Sequence, residues 1–268
     1  MVEKVAAVKM PAALTRNPQL RVVHASLRAL SDQFGLGFRW LGGLVRMAGF
    51  AREFRSFRRL NAGTPFALRG SDILPCLSDR TTTTPVEPTY FLQDAWFARR
   101  MAEQRPLSHV DVGSSAKSMA LIAQFVPVTL VDIRPVEIEL ERFSFLAGSI
   151  LALPFADGSQ LSLSSLCVIE HIGLGRYGDP FDARGSEKAA AELCRVLARG
   201  GQLYVTVPVD AVCRIYFNAH RAFTRDYLLS LFPGLELVAE SYIYGRAYAP
   251  AYAPERGFGT GLYHFRRP

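Results

Sequence analysis

Short apolar, β-branched runs alternate with helical periods through the last two thirds of the chain. Residues 107–112 read as a buried strand that stops at Asp111, Val112 and Gly113, followed by two serines and a helical run. Residues 128–133 (VTLVDI) predict a second strand, 143–147 a third, 161–169 a fourth and 202–209 (QLYVTVPV) a fifth. Residues 90–104 hold a helical period leading into the first strand, and 186–197 predict a strong helix closed by Gly200 and Gly201. The tail predicts a helix near 224–232 and strands at 235–244 and 261–266, a pair suited to an antiparallel hairpin at a sheet edge. This rhythm specifies an α/β, Rossmann-like, doubly wound and mostly parallel seven-stranded sheet with helices on both faces.

The first third differs. Residues 1–33 carry weak helical signals interrupted by Pro11 and Pro18. Over residues 34–60 the polarity turns over at Gly49, which predicts two short helices. In the first, Arg39 and Arg46 project on one line, with Phe38, Trp40, Leu41, Leu44, Val45 and Met47 on the remaining arc. In the second, Arg52, Arg55 and Arg59 oppose Phe50, Phe54 and Phe57. Six arginines against Glu53 give residues 39–59 a net +5, most of the chain's formal +7. Three readings stay open: contact with an anionic membrane surface, a phosphate-bearing partner, or packing of the aromatic side on the main domain or a second subunit of a homo-oligomer, with the arginines solvated. The threonine- and proline-rich stretch 78–88 reads as a linker, dividing a helical extension, 1–77, from a main domain, 78–268.

Composition narrows the class. The chain of 268 residues is 49% hydrophobic and 21% charged, without repeats or low-complexity tracts. No secretory pattern opens the chain and no uncharged run reaches the roughly 20 residues needed to cross a bilayer, so a cytoplasmic location is expected. Cys76, Cys167, Cys194 and Cys213 are too scattered for a zinc site and read as reduced packing residues. Nucleic acid is not expected as a partner, because the basic cluster lies outside the strand-and-helix region and no reading motif accompanies it.

Candidate chemistry gathers at the strand ends. In open parallel sheets ligands bind beyond the carboxyl ends of the strands, where Asp111, Asp132, Ser149, Glu170 and His171 fall. Gly113 can take backbone angles closed to other residues, and Ser114 or Ser115 can cap the following helix. Asp132 stands about 20 residues further on, the offset at which an acid grips ribose hydroxyls in nucleotide-binding βαβ units. Tyr90, Gln93 and Trp96, on the helix before the first strand, are candidates either for lining such a ligand or for the core.

Taken in order, VDVGS, Asp132, GSI before LPFADGS, and CVIEHIG followed by AAELCRVLARGGQLYVTVP make the sequence from about residue 90 to 268 resemble the class I S-adenosylmethionine-dependent methyltransferases. Within that superfamily, GLGRYGDP (173–180) and FNAHRAF (217–223) resemble an uncharacterised methyltransferase-like family. The resemblance implies S-adenosylmethionine as cofactor, contacted by Asp111, Gly113, Ser114, Ser115, Asp132, Ile133, Ser149, Ile150 and Leu166. It implies a small-molecule acceptor, a sugar or other hydroxylated metabolite, met by Arg176, Tyr177 and His220. His171 is the candidate general base, with Glu170 beside it; the alternative is a hydrogen-bonded pair that only fixes the strand end. Three positions depart from the pattern. One glycine stands where the first motif is usually glycine-rich, Ser149 replaces a common acid at the adenine turn, and Leu161 replaces an acid before the fourth strand. Those departures admit a second expectation, a methyltransferase-like binding or scaffolding module without turnover. The loop 173–180 reads either as a mobile lid or as a tight turn.

Overall fold

The computed structural model describes residues 39–268 except 67, 71, 72 and 78, and side chains from residue 46 onward. The weak helical signals of residues 1–33 lie outside the described residues. Two compact units divide the chain between Pro85 and Val86.

In the first unit, α1 runs unbroken over Arg39–Leu60. The two expected helices are therefore one. Gly49 remains helical, because a glycine inside a helix costs only about 1 kcal/mol against alanine. Continuity has a consequence for charge: at 100° per residue, Arg46 falls on the side carrying Phe50 and Phe57, opposite Arg52, Arg55 and Arg59, so the arginines of the helix do not share one face.

The second unit is built on an eight-stranded sheet in the order β3-β2-β1-β4-β5-β10-β8-β9. Its members are β1 (His109–Val112), β2 (Val128–Asp132), β3 (Phe143–Ala147), β4 (Gln160–Leu166), β5 (Leu197–Val209), β8 (Glu236–Tyr244), β9 (Ala247–Ala249) and β10 (Gly259–Arg266). The strands from β3 to β5 pair in parallel. The closing antiparallel pair is present, but β10 inserts between β5 and β8. Seven strands correspond to the expected set; the eighth, β9, is three residues within a tyrosine- and proline-rich stretch whose composition hides it. A separate two-stranded hairpin, β6 (Arg214–Tyr216) with β7 (His220–Ala222), was equally illegible, being too short to show a period.

Helices cover both faces. α2 (Pro88–Gln104) starts where the Glu87 side chain accepts the Tyr90 amide at 2.7 Å, with Pro88 fitting its first turn. Ser115 caps α3 (Ala116–Ile122), and Thr224 caps α5 (Arg225–Ser230). Between them in sequence, α4 (Gly185–Val196) buries Ala189, Ala190, Leu193 and Val196 against one face of the sheet. The period-two alternation of β5 divides the core: Leu203, Val205, Val207 and Val209 join α4, whereas Tyr204 joins Phe97, Met101 and Met119 from α2 and α3. Each such buried side chain contributes roughly 1.5–3 kcal/mol. Gly200 and Gly201 do not end α4 but lie within β5, which starts at Leu197 and reaches β4 through a register shift. Likewise β4 stops at Leu166, and the chain tightens into a 3-10 turn at Ile169–His171.

Candidate functional site

The carboxyl ends of β1, β2 and β4 surround a pocket of about 320 Å³. At β1, Asp111 is fully buried and accepts hydrogen bonds from the Ser114 amide (3.0 Å), the Ser114 hydroxyl (2.7 Å) and the Ser164 hydroxyl. Ser114 Oγ in turn accepts the Leu166 amide at 2.8 Å. Underneath, His109 spans Ser162 (2.7 Å) and Ser164 (2.8 Å), so a buried polar ladder fastens β1 to β4. Burial pushes the Asp111 carboxyl up to about 6 against the serine hydrogen bonds, and burial pushes His109 down to about 3. Gly113 follows with φ +75°, its amide bonded to Val131 O at 2.8 Å. A Cβ there would lie 2.9 Å from Val168 Cγ1, so both backbone angle and space require glycine.

At β2, Asp132 carries a carboxylate whose side chain is 11% exposed. Its Oδ1 accepts the Arg134 amide at 2.8 Å and Nε at 3.3 Å, and Oδ2 accepts Nη2 at 3.3 Å. The Arg134 guanidinium lies 4.7 Å from the centre of the Tyr177 ring. Across the pocket, Gly148 packs where a Cβ would meet Val131 at 2.9 Å and Pro154 at 3.1 Å, turning the chain so that Ser149, Ile150 and Leu151 face inward.

The β4 end supplies Cys167, Val168 and His171. His171 Nδ1 stands 2.7 Å from Ala219 O, which only accepts, so this nitrogen carries the proton and Nε2 keeps its lone pair. Nε2 lies 3.7 Å from Glu170 Oε1. Burial, then the nearby Arg176 charge, push His171 down to about 4. Glu170 is 1% exposed, and its Oε2 has no hydrogen-bond partner. Burial pushes its carboxyl up to about 8.

Of the residues singled out from sequence, Gly113, Asp132, Ile133, Ser149, Ile150, His171 and Tyr177 line this pocket. Asp111, Ser114 and Ser115 do not, because their polar atoms are taken up in holding the β1 turn and capping α3. Leu166 is buried with the α2–α3 core. Glu170 sits behind His171, Arg176 donates to Ala219 O at 2.8 Å, and His220 lies 6.5 Å from His171 ring to ring. Gln93 accepts from Thr206 Oγ1 at 2.6 Å and Cys167 Sγ at 3.0 Å, while Trp96 belongs to the core. Tyr90 is partly exposed and does not line the pocket. Asp179, picked out with Arg176 and Tyr177 in the loop 173–180, also lines the pocket, whereas sequence reasoning missed Arg134 and Val168. Only the position of Arg134, two residues beyond an acid at a strand end, carried a signal.

The loop 173–180 is tight. Asp179 Oδ2 accepts the Gly173 amide at 2.6 Å and Oδ1 the Tyr177 amide at 3.2 Å. Among the described residues no group of three or more histidines, cysteines or acids could hold a metal, and no helix is long and apolar enough to cross a membrane.

Comparison with known proteins follows the same lines. Residues 131–247 match the profile of a family described as Caenorhabditis protein of unknown function, DUF268. A search of curated proteins finds no significant match. Among solved structures, the N-methyltransferase NodS from Bradyrhizobium japonicum, in complex with S-adenosylhomocysteine, is 18% identical over 66% of this chain and 87% of its own, with a TM-score of 0.50. The 1,6-didemethyltoxoflavin-N1-methyltransferase of Burkholderia thailandensis is 16% identical over 87% of this chain and 91% of its own, TM-score 0.48. The [4+2]-cyclase SpnF is 17% identical over 65% and 80%, TM-score 0.48. The likeness to NodS shows that the second unit has a Rossmann-like methyltransferase fold, and at 18% identity it shows the fold alone.

Proposed function

We propose that the chain is an S-adenosylmethionine-dependent methyltransferase that acts on a hydroxylated small molecule. The observation that carries this reading is convergence: Gly113 after β1, Asp132 at the tip of β2 and Ser149–Ile150 after β3 line one pocket. The residues suit an adenosyl group. An acid stands where ribose hydroxyls would lie, Ile133 and Ile150 offer apolar surfaces for adenine, and glycine at 113 lets backbone approach the ligand. Bound S-adenosylmethionine would supply a methyl group already activated on a sulfonium. The chain's own part is alignment and proton handling. Asp132 would hold the ribose hydroxyls in place of the Arg134 guanidinium, and the Ser149 hydroxyl would stand in for the acid absent at the adenine turn. Tyr177 walls the acceptor side, and Arg176 and His220 bound it farther out. His171 takes the acceptor's proton at Nε2, its ring fixed by the Nδ1–H bond to Ala219 O, with Glu170 behind it.

Titration of the full chain with S-adenosylhomocysteine, followed by calorimetry, tests this. Saturable binding that Asp132→Ala weakens is expected; no heat at millimolar ligand would overturn it. A second reading, a binding or scaffolding module without turnover, has one observation in its favour: Arg134 already occupies Asp132. The same null titration would select it.

A further inference from the structure

From the pocket wall a strip of rings runs outward. Tyr177 and His171, which line it, stand edge to face at 5.7 Å. His171 leads to His220 at 6.5 Å, and His220 to Tyr216 at 5.1 Å and Phe258 at 5.5 Å. The β6–β7 hairpin places this strip: its turn carries Ala219, whose carbonyl accepts from both His171 and Arg176, so the hairpin is moored to the β4 end. Tyr177 is 40% exposed and Phe258 49%, so both ends of the strip reach the surface.

Charge along the strip is one-sided. Arg176 lies 5.2 Å from the Tyr177 ring centre and Arg134 4.7 Å. The carboxylates alongside are engaged by the protein: Asp179 by the Gly173 and Tyr177 amides, Asp210 by the Ala211 amide and the Tyr216 hydroxyl. A sugar site uses free carboxylates to hold vicinal hydroxyls, and a cationic acceptor needs an open acid; Asp179 and Asp210 are committed to protein partners, and Glu170 is 1% exposed behind His171. His220 Nε2, midway along the strip, is buried and has no hydrogen-bond partner.

Resting on the methyltransferase reading, we infer that the acceptor is a planar aromatic hydroxyl compound, stacked along Tyr177, His171, His220, Tyr216 and Phe258 with its oxygen beside His171 and Arg176. Offset or edge-on ring contacts each add roughly 0.5–1.5 kcal/mol beyond burial, and a guanidinium favours the oxyanion. The phenolic O–H bond breaks with its proton going to His171 Nε2. The oxygen lone pair forms the new O–CH3 bond as the methyl–sulfur bond breaks, and that electron pair stays on sulfur. Nothing is oxidised or reduced.

The probe is 2-naphthol, with methyl glucoside as the sugar control, each titrated into the full chain saturated with S-adenosylhomocysteine and read by saturation-transfer NMR. Naphthol is expected to bind and the glucoside not; Phe258→Ser should weaken naphthol at least fivefold while leaving S-adenosylhomocysteine affinity within twofold. Mass spectrometry with S-adenosylmethionine should then show 2-methoxynaphthalene. Glucoside binding as tight as naphthol, or absent naphthol binding to protein that holds S-adenosylhomocysteine, overturns the inference. Failure to bind S-adenosylhomocysteine overturns the methyltransferase reading itself.

Discussion

Arg134 closes over the carboxylate of Asp132 from two sides, its backbone amide 2.8 Å and its guanidinium Nε 3.3 Å from the same oxygen. A ribose must take at least part of that carboxylate for itself. The guanidinium is 60% exposed, so its ion pair adds only about 0–1 kcal/mol and yields readily. Arg134→Ala should therefore tighten S-adenosylhomocysteine up to about fivefold by removing a competitor. Asp132→Ala should weaken it tenfold or more, since hydrogen bonds to a charged acceptor contribute about 1.5–3 kcal/mol. Calorimetry on both variants checks the pair, and a loss of affinity in Arg134→Ala would reassign that arginine to ligand contact.

Asp111 is committed to structure. Replacing it by alanine removes the acceptor of three donors, the half-buried Ser114 amide and hydroxyl and the fully buried Ser164 hydroxyl. The expected cost is about 2–4 kcal/mol. A thermal melt should show it as a drop of several degrees, whereas Ser149→Ala, on the pocket surface, should melt within a degree or two of the parent.

That contrast marks how far the sequence was legible. Asp111 and Asp132 are both acids at the ends of buried strands, and strand-end position together with the family resemblance made both ligand contacts. The difference lies in Ser114 and Ser164, the second of which is 53 residues from Asp111, beyond any periodicity. The parallel strands were readable because all four residues of β1 are buried and β5 closes on an unbroken buried run from Leu203 to Val209 that is rich in valine, leucine and tyrosine. β9 and the β6–β7 hairpin were not, since three-residue strands carry no period and their pairing is set by tertiary contact. Val168 presents the same difficulty: its role is fixed by an approach to Gly113 that exists only once β1 and β4 are adjacent.

Arg221 decides whether the loop over the site is a lid. Its buried guanidinium reaches Ile172 O at 2.6 Å, Asp182 O at 3.0 Å and the Ser186 hydroxyl at 3.3 Å, pinning both ends of residues 172–186. Arg221→Lys keeps the charge but not the fork, and should cost about 2–4 kcal/mol. Hydrogen exchange over residues 173–184 should accelerate in the variant and be slow in the parent. Fast exchange in the parent would mean that the loop opens despite this anchor.

Glu170 gives the chain a pH signature. Its carboxyl ordinarily titrates at 4.5 and burial raises it to about 8 in the fold. A folded value above the unfolded one means that the native state binds the proton more tightly. The stabilising contribution is therefore complete below 4.5 and is lost as pH rises through 8. Glu170→Gln keeps the neutral shape and cannot ionise, so its stability should hardly change across pH 6–9 where the parent's declines. The two should differ by about 1–3 kcal/mol at pH 9, in favour of the variant. His171, lowered to about 4, has the opposite sign: its contribution is complete above 6.5 and is lost as pH falls towards 4, so the two windows separate. Urea denaturation of parent and variant at pH 6, 7.5 and 9 measures this directly. Parallel curves would mean that Glu170 is already ionised at neutral pH and that a cation, in solution, reaches its unpartnered oxygen.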